Sequence, residues 1–172
     1  MIGQWTPQRL FTLILAASVG AIAFALFFQY VVGLAPCKLC HVQRWPYLAV
    51  IPLAAAGLWW SRHHNQWGSR LLLALTVVFS LAFLFEAAVA GYHVGVEQGW
   101  WRGTDACVGA ATTGQSLDEL RDAIMNAPIV RCNEVQWDVF GISMAGFNIP
   151  YALGLAAISL LAVRRCGRAC RK

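Results

Sequence analysis

The sequence predicts an all-α membrane protein in a single domain, 1–172: a four-transmembrane-helix bundle with one long loop outside the bilayer. Two observations predict this class. Of the 172 residues, 59% are hydrophobic and only 12% are charged, far from the balance of a soluble domain. Four apolar runs divide the chain, and its length allows one compact bundle without a second domain of typical size.

The first two crossings are expected at about residues 10–35 and 41–60. The first run holds no charged residue and exceeds the roughly 20 residues that a helical crossing needs. It also continues well past the small-residue sites at which a secretory signal would be cleaved, which favours an uncleaved helix. The second run contains Pro46 and Pro52 and needs residues 39–44 to complete a helix.

The third and fourth crossings are expected at about residues 71–90 and 149–163. Only Glu86 interrupts the third run, and a carboxyl group at such a depth must be paired, protonated or near water. The fourth run ends abruptly at Arg164 and Arg165.

Lysine and arginine are retained on the cytoplasmic side of a membrane, so their positions predict orientation. Eight of the 13 basic residues lie in the N-terminal flank, the link 61–70 and the C-terminal tail, which places both termini in the cytoplasm. The opposite side receives the loop of about residues 91–148, which carries seven of the eight acidic residues and three arginines, a net charge of −4. The overall charge of +5 is therefore a signal of topology, and we expect no nucleic-acid partner.

The long loop contains a signal for a short amphipathic helix. Ser116 to Glu119 has the spacing of a capping box, and the helix should end before Pro128. Apolar side chains recur at helical intervals after it: Leu117, Leu120, Ala123 and Ile124. This helix lies along the membrane surface or packs on the rest of the protein, and the sequence does not decide between the two.

The predicted topology sorts the six cysteines into two compartments. The outer set, where disulfides persist, is Cys37, Cys40, Cys107 and Cys132. Cys166 and Cys170 fall in the cytoplasmic tail, where reduced thiols are expected. Four outer cysteines allow three connectivities, of which the simplest pairs Cys37 with Cys40 and Cys107 with Cys132.

The first pair has the spacing of a redox site. Both bridges could be structural staples, but a Cys-x-x-Cys ring closes too little chain to restrain the unfolded state much, and its common use is thiol–disulfide exchange. Arg44 lies four residues after Cys40, on the same helix face. Its guanidinium and the helix N-terminus should both favour a thiolate at Cys40.

A thiolate at the membrane edge, in a chain without a nucleotide, haem or flavin motif, indicates a lipid-soluble quinone as electron acceptor. Arg44 could hydrogen-bond a quinone oxygen, or it could simply snorkel to lipid headgroups. His41 could tune the thiolate and His93 could help to protonate the reduced quinone, although both also fit ordinary interfacial histidines.

Three stretches resemble the DsbB family of disulfide bond formation proteins: Pro36-Cys37-Lys38-Leu39-Cys40-His41-Val42-Gln43-Arg44, then Gly91-Tyr92-His93-Val94-Gly95-Val96-Glu97, then Gln136-Trp137-Asp138-Val139-Phe140-Gly141-Ile142-Ser143-Met144-Ala145. The resemblance covers nearly the whole chain, including the four crossings and two periplasmic segments.

This resemblance implies a protein-disulfide:quinone oxidoreductase of the bacterial inner membrane, with a periplasmic DsbA-like oxidase of thioredoxin fold as its partner. By similarity, the reduced partner forms a mixed disulfide at Cys107 and frees Cys132, which attacks Cys37. The released Cys40 thiolate then passes electrons to a quinone beside Arg44, with ubiquinone favoured over menaquinone.

Two alternatives remain open. A membrane metal-binding protein would use Cys37, Cys40 and His41, with His93 as a further ligand, although only one Cys-x-x-Cys pair is present. A related thiol-redox membrane enzyme would act on a different soluble protein. We expect no resident metal.

Overall fold

The computed structural model describes residues 6–63, 70–108 and 130–169, together with the isolated positions 116, 118, 121 and 125. Its elements in chain order are α1 (Pro7–Tyr30), α2 (Lys38–His63), α3 (Arg70–Glu97), α4 (Asp105–Val108), β1 (Asp138–Val139), β2 (Ile142–Ser143) and α5 (Met144–Ala169). Helix α1 packs on α2, α2 on α3, and α3 most extensively on α5.

Helix α1 begins with a cap and ends earlier than the apolar run suggests. The side chain of Thr6 accepts a hydrogen bond from the backbone N–H of Arg9, and Pro7 occupies the first turn. The helix ends at Tyr30, so the expected crossing at residues 10–35 was too long at its C-terminal end. Gly33 has a φ of 85°, which a helix cannot accommodate, and the irregular segment after it carries the chain to Cys37.

Helix α2 begins at Lys38, as the need to complete the second crossing with residues 39–44 predicted. The backbone N–H of His41 donates to the carbonyl of Cys37 at 3.2 Å, which closes the first helical turn. Pro46 and Pro52 both lie inside the helix. Its 26 residues correspond to a length of about 39 Å at roughly 1.5 Å per residue.

Helices α3 and α5 are longer than the apolar runs that predicted them. Helix α3 continues to Glu97, seven residues beyond the expected end at residue 90, and α5 begins at Met144 instead of residue 149. Both extensions are on the side of the bundle that carries Cys37. They bring polar residues of α3 and α5 into the helical bundle, where the candidate site lies.

Aromatic and small residues of the first three helices form the core between them. The rings of Phe11 and Phe79 meet edge to face with centroids 5.9 Å apart, and both side chains are fully buried. A Cβ added to Gly57 would collide with the ring of Phe11, so only glycine permits this approach of α1 to α2. Val50 and Phe83 belong to the same core, which also includes residues of α5.

Within the described part of the chain, three helices are long and apolar enough to cross a membrane: Pro7–Tyr30, Arg70–Glu97 and Met144–Arg165. The protein is therefore a mainly helical membrane protein, as predicted. Helix α2 has the length, but polar residues in its first turns, such as Gln43 and Arg44, lower its hydropathy. The fourth crossing stays a prediction.

The loop after α3 is only partly described. The short helix expected from residue 116 falls mostly outside the described residues, although positions 118, 121 and 125 are each helical. The side chains of Cys166 and Cys170 also lie outside the described part. The all-α prediction missed one small feature, the hairpin in which Asp138 pairs with Ser143.

Candidate thiol and quinone site

The two cysteines of the first pair sit at the N-terminus of α2. Cys37 precedes the helix and Cys40 lies in its first turn, and their sulfur atoms are 3.0 Å apart without a bond. The backbone N–H of Cys40 also points at the sulfur of Cys37, at 3.3 Å. Cys37 therefore occupies the position of a helix cap, and its sulfur faces a first-turn N–H group that has no partner within the helix.

This arrangement favours a thiolate at Cys37. The hydrogen bond with Cys40 is the largest cause, and together with contacts from His93 it lowers the pKa of Cys37 well below the ordinary thiol value, against the opposing effect of burial. The same hydrogen bond raises the pKa of Cys40. In this dithiol state the hydrogen bond favours a thiolate at Cys37 over one at Cys40, whereas the sequence predicts a thiolate at Cys40. Arg44 does favour ionisation of Cys40, but less strongly than Cys37 opposes it.

His93 connects the sulfurs to a buried polar chain. Its Nε2 lies 3.5 Å from Sγ of Cys37, and its Nδ1 lies 3.1 Å from Nε2 of Gln43. Nδ2 of Asn148 then donates to Oε1 of Gln43 at 3.2 Å and to Oε1 of Glu86 at 2.5 Å. The hydroxyl of Tyr47 donates to Oδ1 of Asn148 at 2.7 Å. Residues of α2, α3 and α5 thus form one network that ends at Cys37.

Glu97 approaches His93 from the next turn of α3. Its Oε1 lies 3.7 Å from Nε2 of His93, and its other oxygen accepts a hydrogen bond from the hydroxyl of Ser143 at 2.5 Å. The same hydroxyl accepts from the backbone N–H of Gly146 at 3.1 Å, as a cap of α5 does. Glu97 therefore ties the end of α3 to the start of α5 beside the thiol pair.

The pair faces a cavity of about 640 Å³ that is lined mainly by apolar side chains. Residues of α1 such as Ala21, Phe24 and Phe28 form one wall, and Cys40, Arg44 and His93 are among its polar residues. Arg44 donates from Nη1 to Oε1 of Gln29 at 2.6 Å, which links α2 to α1. Cys40 and Arg44 thus share one cavity, as their four-residue spacing predicts.

The second pair is a disulfide. Cys107 and Cys132 are bonded, their Cα atoms are 5.0 Å apart, and both are almost completely buried. They form one cluster with Cys37 and with the buried side chains of Leu39 and Val96. The two cysteine pairs, far apart in sequence, therefore pack against each other.

The structure brings six of the seven predicted site side chains into one neighbourhood and leaves one outside it. Cys37, Cys40, Arg44 and His93 line the cavity, and the loop disulfide adjoins Cys37. His41 is exposed and lines no part of this cavity, so we remove it from the candidate site. The predicted Cys37–Cys40 bridge is not formed, because the structure holds that pair as free thiols.

The sequence did not indicate several polar residues of the site, among them Gln43, Glu97 and Asn148. Two carried a usable signal. Gln43 follows Cys40 by three residues and Glu97 follows His93 by four, so each pair shares a helix face. Asn148 had none, because it precedes the fourth apolar run and the sequence does not show which residue of α3 it meets.

Comparison with known proteins decides the family. A family model described as "Disulfide bond formation protein DsbB" matches residues 7–162. The chain belongs to the DsbB family. It is therefore a disulfide oxidoreductase of the membrane that re-oxidises DsbA, and quinone electron transfer is implied by the family.

Individual relatives agree with this DsbB assignment. A "Disulfide bond formation protein B" of Acidovorax sp. is 31% identical over 94% of this chain and 90% of its own length. Proteins with the same description from Verminephrobacter eiseniae and Paracidovorax citrulli are 33% and 28% identical, over 94% and 99% of this chain and 92% and 97% of their own lengths.

Proposed function

We propose that electrons enter this DsbB-family chain at the Cys107–Cys132 disulfide and leave it from the Cys37–Cys40 pair to a quinone in the cavity. The observation that carries the proposal is the position of Cys37. Its sulfur contacts Cys40 and His93 at the cavity, and its side chain also packs in one cluster with Cys107 and Cys132. One residue thus adjoins both the loop pair and the proposed acceptor site.

The residues around the cavity fit a quinone. A cavity of about 640 Å³ with apolar walls suits a flat ring with a lipid tail. The polar part of the cavity wall includes the sulfur of Cys40, the guanidinium of Arg44 and the imidazole of His93. Such groups can donate hydrogen bonds to the carbonyl oxygens of a quinone. When bound, a quinone supplies the acceptor for the two electrons whose loss re-forms the Cys37–Cys40 disulfide. We propose ubiquinone rather than menaquinone as the electron acceptor.

The chain's own residues carry out the exchanges that precede this loss. A thiolate of a reduced DsbA-like periplasmic protein of thioredoxin fold attacks Sγ of Cys107, and Cys132 leaves as a thiolate. Cys132 then attacks Sγ of Cys37 in the oxidised pair, and Cys40 leaves. The second partner thiol displaces Cys107, which attacks Cys132 and releases Cys37. The partner is then oxidised, the loop disulfide is restored and Cys37 and Cys40 are thiols.

Burial of the loop disulfide adds a requirement to this route. Cys107 is 0% exposed and Cys132 is 1% exposed, so no thiolate of another protein reaches either sulfur in this conformation. Partner attack therefore needs a movement of the segments around residues 103–108 and 130–137, as lid and loop motions do in many enzymes.

We place both termini in the cytoplasm and the two cysteine pairs on the periplasmic side of a bacterial inner membrane, with four crossings. The distribution of arginine and lysine supports this orientation. A length of about 39 Å for α2 exceeds the roughly 30 Å of a hydrocarbon core, which supports the fourth crossing.

One observation favours a second candidate, a metal site. Ligand atoms of Cys37, Cys40 and His93 lie within 4.8 Å of one another. This set replaces His41 of the sequence-based alternative with His93. Against it, Nε2 could bind a metal only with the ring hydrogen on Nδ1, where the facing amide nitrogen of Gln43 at 3.1 Å cannot accept it. A metal role would also leave the loop disulfide without a function.

The experiment follows quinone absorbance while purified chain, reduced DsbA-like partner and ubiquinone or menaquinone are mixed. We expect Cys40→Ser to abolish quinone reduction, and the matched control Cys166→Ser with Cys170→Ser to retain it. Undiminished reduction in Cys40→Ser would contradict the route. Metal content of the purified protein, together with absence of quinone reduction, would instead support the second candidate.

A further inference from the structure

Buried hydrogen bonds connect Glu86 to His93 through Asn148 and Gln43. Each of these bonds determines which atom of the next side chain can act as the donor. Glu86 lies on α3, is 0% exposed and presents Oε1 to the amide nitrogen of Asn148. Tyr47 donates its hydroxyl hydrogen to the amide oxygen of Asn148. The amide of Asn148 is therefore held from both sides, and reversing it would set its oxygen against Oε1 of Glu86 and Oε1 of Gln43.

The same constraint passes to Gln43. Its Oε1 accepts from Asn148, so its Nε2 faces Nδ1 of His93 at 3.1 Å. An amide nitrogen has only hydrogens to offer, and the facing ring nitrogen must therefore be the acceptor. The ring hydrogen of neutral His93 is then on Nε2, which faces Sγ of Cys37 at 3.5 Å and Oε1 of Glu97 at 3.7 Å.

We propose that Glu86 and Asn148 are positioning residues that hold the ring hydrogen of His93 on Nε2, as a hydrogen-bond donor to the sulfur of Cys37. A thiolate at Cys37 accepts such a bond strongly, because hydrogen bonds to an ionised group are shorter and stronger than neutral ones. The proposal deepens the proposed function, since Cys37 is the residue at which the two cysteine pairs meet. It also assigns a role to Glu86, a buried carboxyl group among apolar residues.

The test reads the position of the ring hydrogen directly. Protein labelled with ¹⁵N-histidine is studied at a pH where imidazole is neutral, and the His93 signals are identified by their loss in His93→Asn. We expect the unmodified protein to show hydrogen on Nε2. Glu86→Leu and Asn148→Leu should each move a measurable share of it to Nδ1, because the Gln43 amide can then turn.

Two control variants separate positioning from general damage. Glu86→Gln keeps an oxygen that can accept from Asn148, so it should retain hydrogen on Nε2. Ser80→Ala removes another buried polar group of α3, whose hydroxyl donates to the local carbonyl of Thr76 at 2.8 Å, and it should also leave His93 unchanged. Hydrogen on Nδ1 in the unmodified protein, or an unchanged ring in both leucine variants, would overturn the proposal.

The effect of Glu86→Leu on kcat, with and without His93, is a second test. A purely structural role of Glu86 would not make this effect depend on His93. In the quinone assay, Glu86→Leu should lower kcat about tenfold, the size expected for one charge-assisted hydrogen bond. In a His93→Asn background it should have little further effect, because positioning residues act through His93. An equal loss in both backgrounds would contradict the proposal. The ring measurement needs no quinone or partner, so its failure is distinct from failure of the proposed route.

Discussion

Nε2 of His93, in the last turns of α3, lies 3.5 Å from Sγ of Cys37, at the N-terminus of α2. This contact joins residues 56 positions apart and sets an imidazole against the thiol pair. The sulfur of Cys37 also receives the N–H of Cys40, so three groups converge on it. This convergence, the cavity beside it and the packing that supports it each have measurable consequences.

Removal of the Cys40 thiol should change the pH dependence of Cys37 reactivity. The hydrogen bond with Cys40 lowers the pKa of Cys37, so the Cys37 thiolate is present above that lowered value. In Cys40→Ala the pKa should rise towards the ordinary thiol value of about 8.5, so alkylation should slow at acidic and neutral pH and converge with the parent at high pH. Cys107, Cys132, Cys166 and Cys170 are replaced by serine in both proteins.

The charged groups that line the same cavity, Arg44, Glu97 and Glu134, are common to both proteins and cannot cause the difference. Mass spectrometry of the modified peptide confirms that Cys37 is the residue alkylated. Identical pH profiles with and without the Cys40 thiol would show that this hydrogen bond does not control Cys37.

Arg44→His should raise the quinone KM about tenfold with a smaller effect on kcat. The guanidinium lines the cavity and donates a hydrogen bond to Gln29 at 2.6 Å. A shorter side chain cannot line the cavity and also reach Gln29. Loss of one hydrogen bond from a charged donor corresponds to about 1.5–3 kcal/mol. Steady-state rates over a range of ubiquinone concentrations measure the effect. Arg62→His, at the far end of α2, is the control and should keep the parent KM.

Gly95→Ala should destabilise the protein by about 1–3 kcal/mol, because a Cβ there collides with the indole of Trp101. That ring stacks on Tyr92 with centroids 5.8 Å apart and donates to its backbone carbonyl at 3.2 Å, so it has little freedom to move. Gly91→Ala is the matched control, since nothing lies within 4 Å of a Cβ at that position of the same helix.

Thermal unfolding in detergent compares the two variants. The control should be neutral or more stable by up to about 1 kcal/mol, because alanine favours a helix interior over glycine. Equal stability of the two variants would show that the indole of Trp101 is not packed on Gly95.

Replacement of the loop pair should separate partner oxidation from quinone reduction. Cys107→Ser with Cys132→Ser removes the only described disulfide, so the reduced DsbA-like partner should no longer drive quinone reduction. Partner oxidation is followed by thiol titration. Unchanged partner oxidation in this double variant would mean that the partner reacts with Cys37 or Cys40 directly.

Much of the site could be predicted from spacing along one helix. Cys40 and Arg44 share a face of α2 because they are four residues apart, and both line the cavity. Local patterns also indicated the start of α2, since the second apolar run alone was too short to span a membrane. Charge distribution predicted an orientation that still awaits a test.

Contacts between helices could not be predicted in this way. Asn148 and Glu86 are 62 positions apart, and a single sequence does not show which faces of α3 and α5 meet. Hydropathy also predicted two helix ends wrongly. Helix α1 ends before Gly33 although the apolar run continues. Helix α3 continues to Glu97 because its polar end is buried against α2 and α5. The hairpin at Asp138 was missed because its strands are only two residues each.

Cys37 and Cys40 should by themselves deliver electrons to the quinone, and a single-turnover measurement can show whether they do. Protein that retains only these two cysteines is reduced, freed of reductant and mixed anaerobically with ubiquinone, without any partner. We expect one quinone to be reduced for each dithiol and the Cys37–Cys40 disulfide to form. Absence of quinone reduction by the fully reduced, folded pair would contradict it.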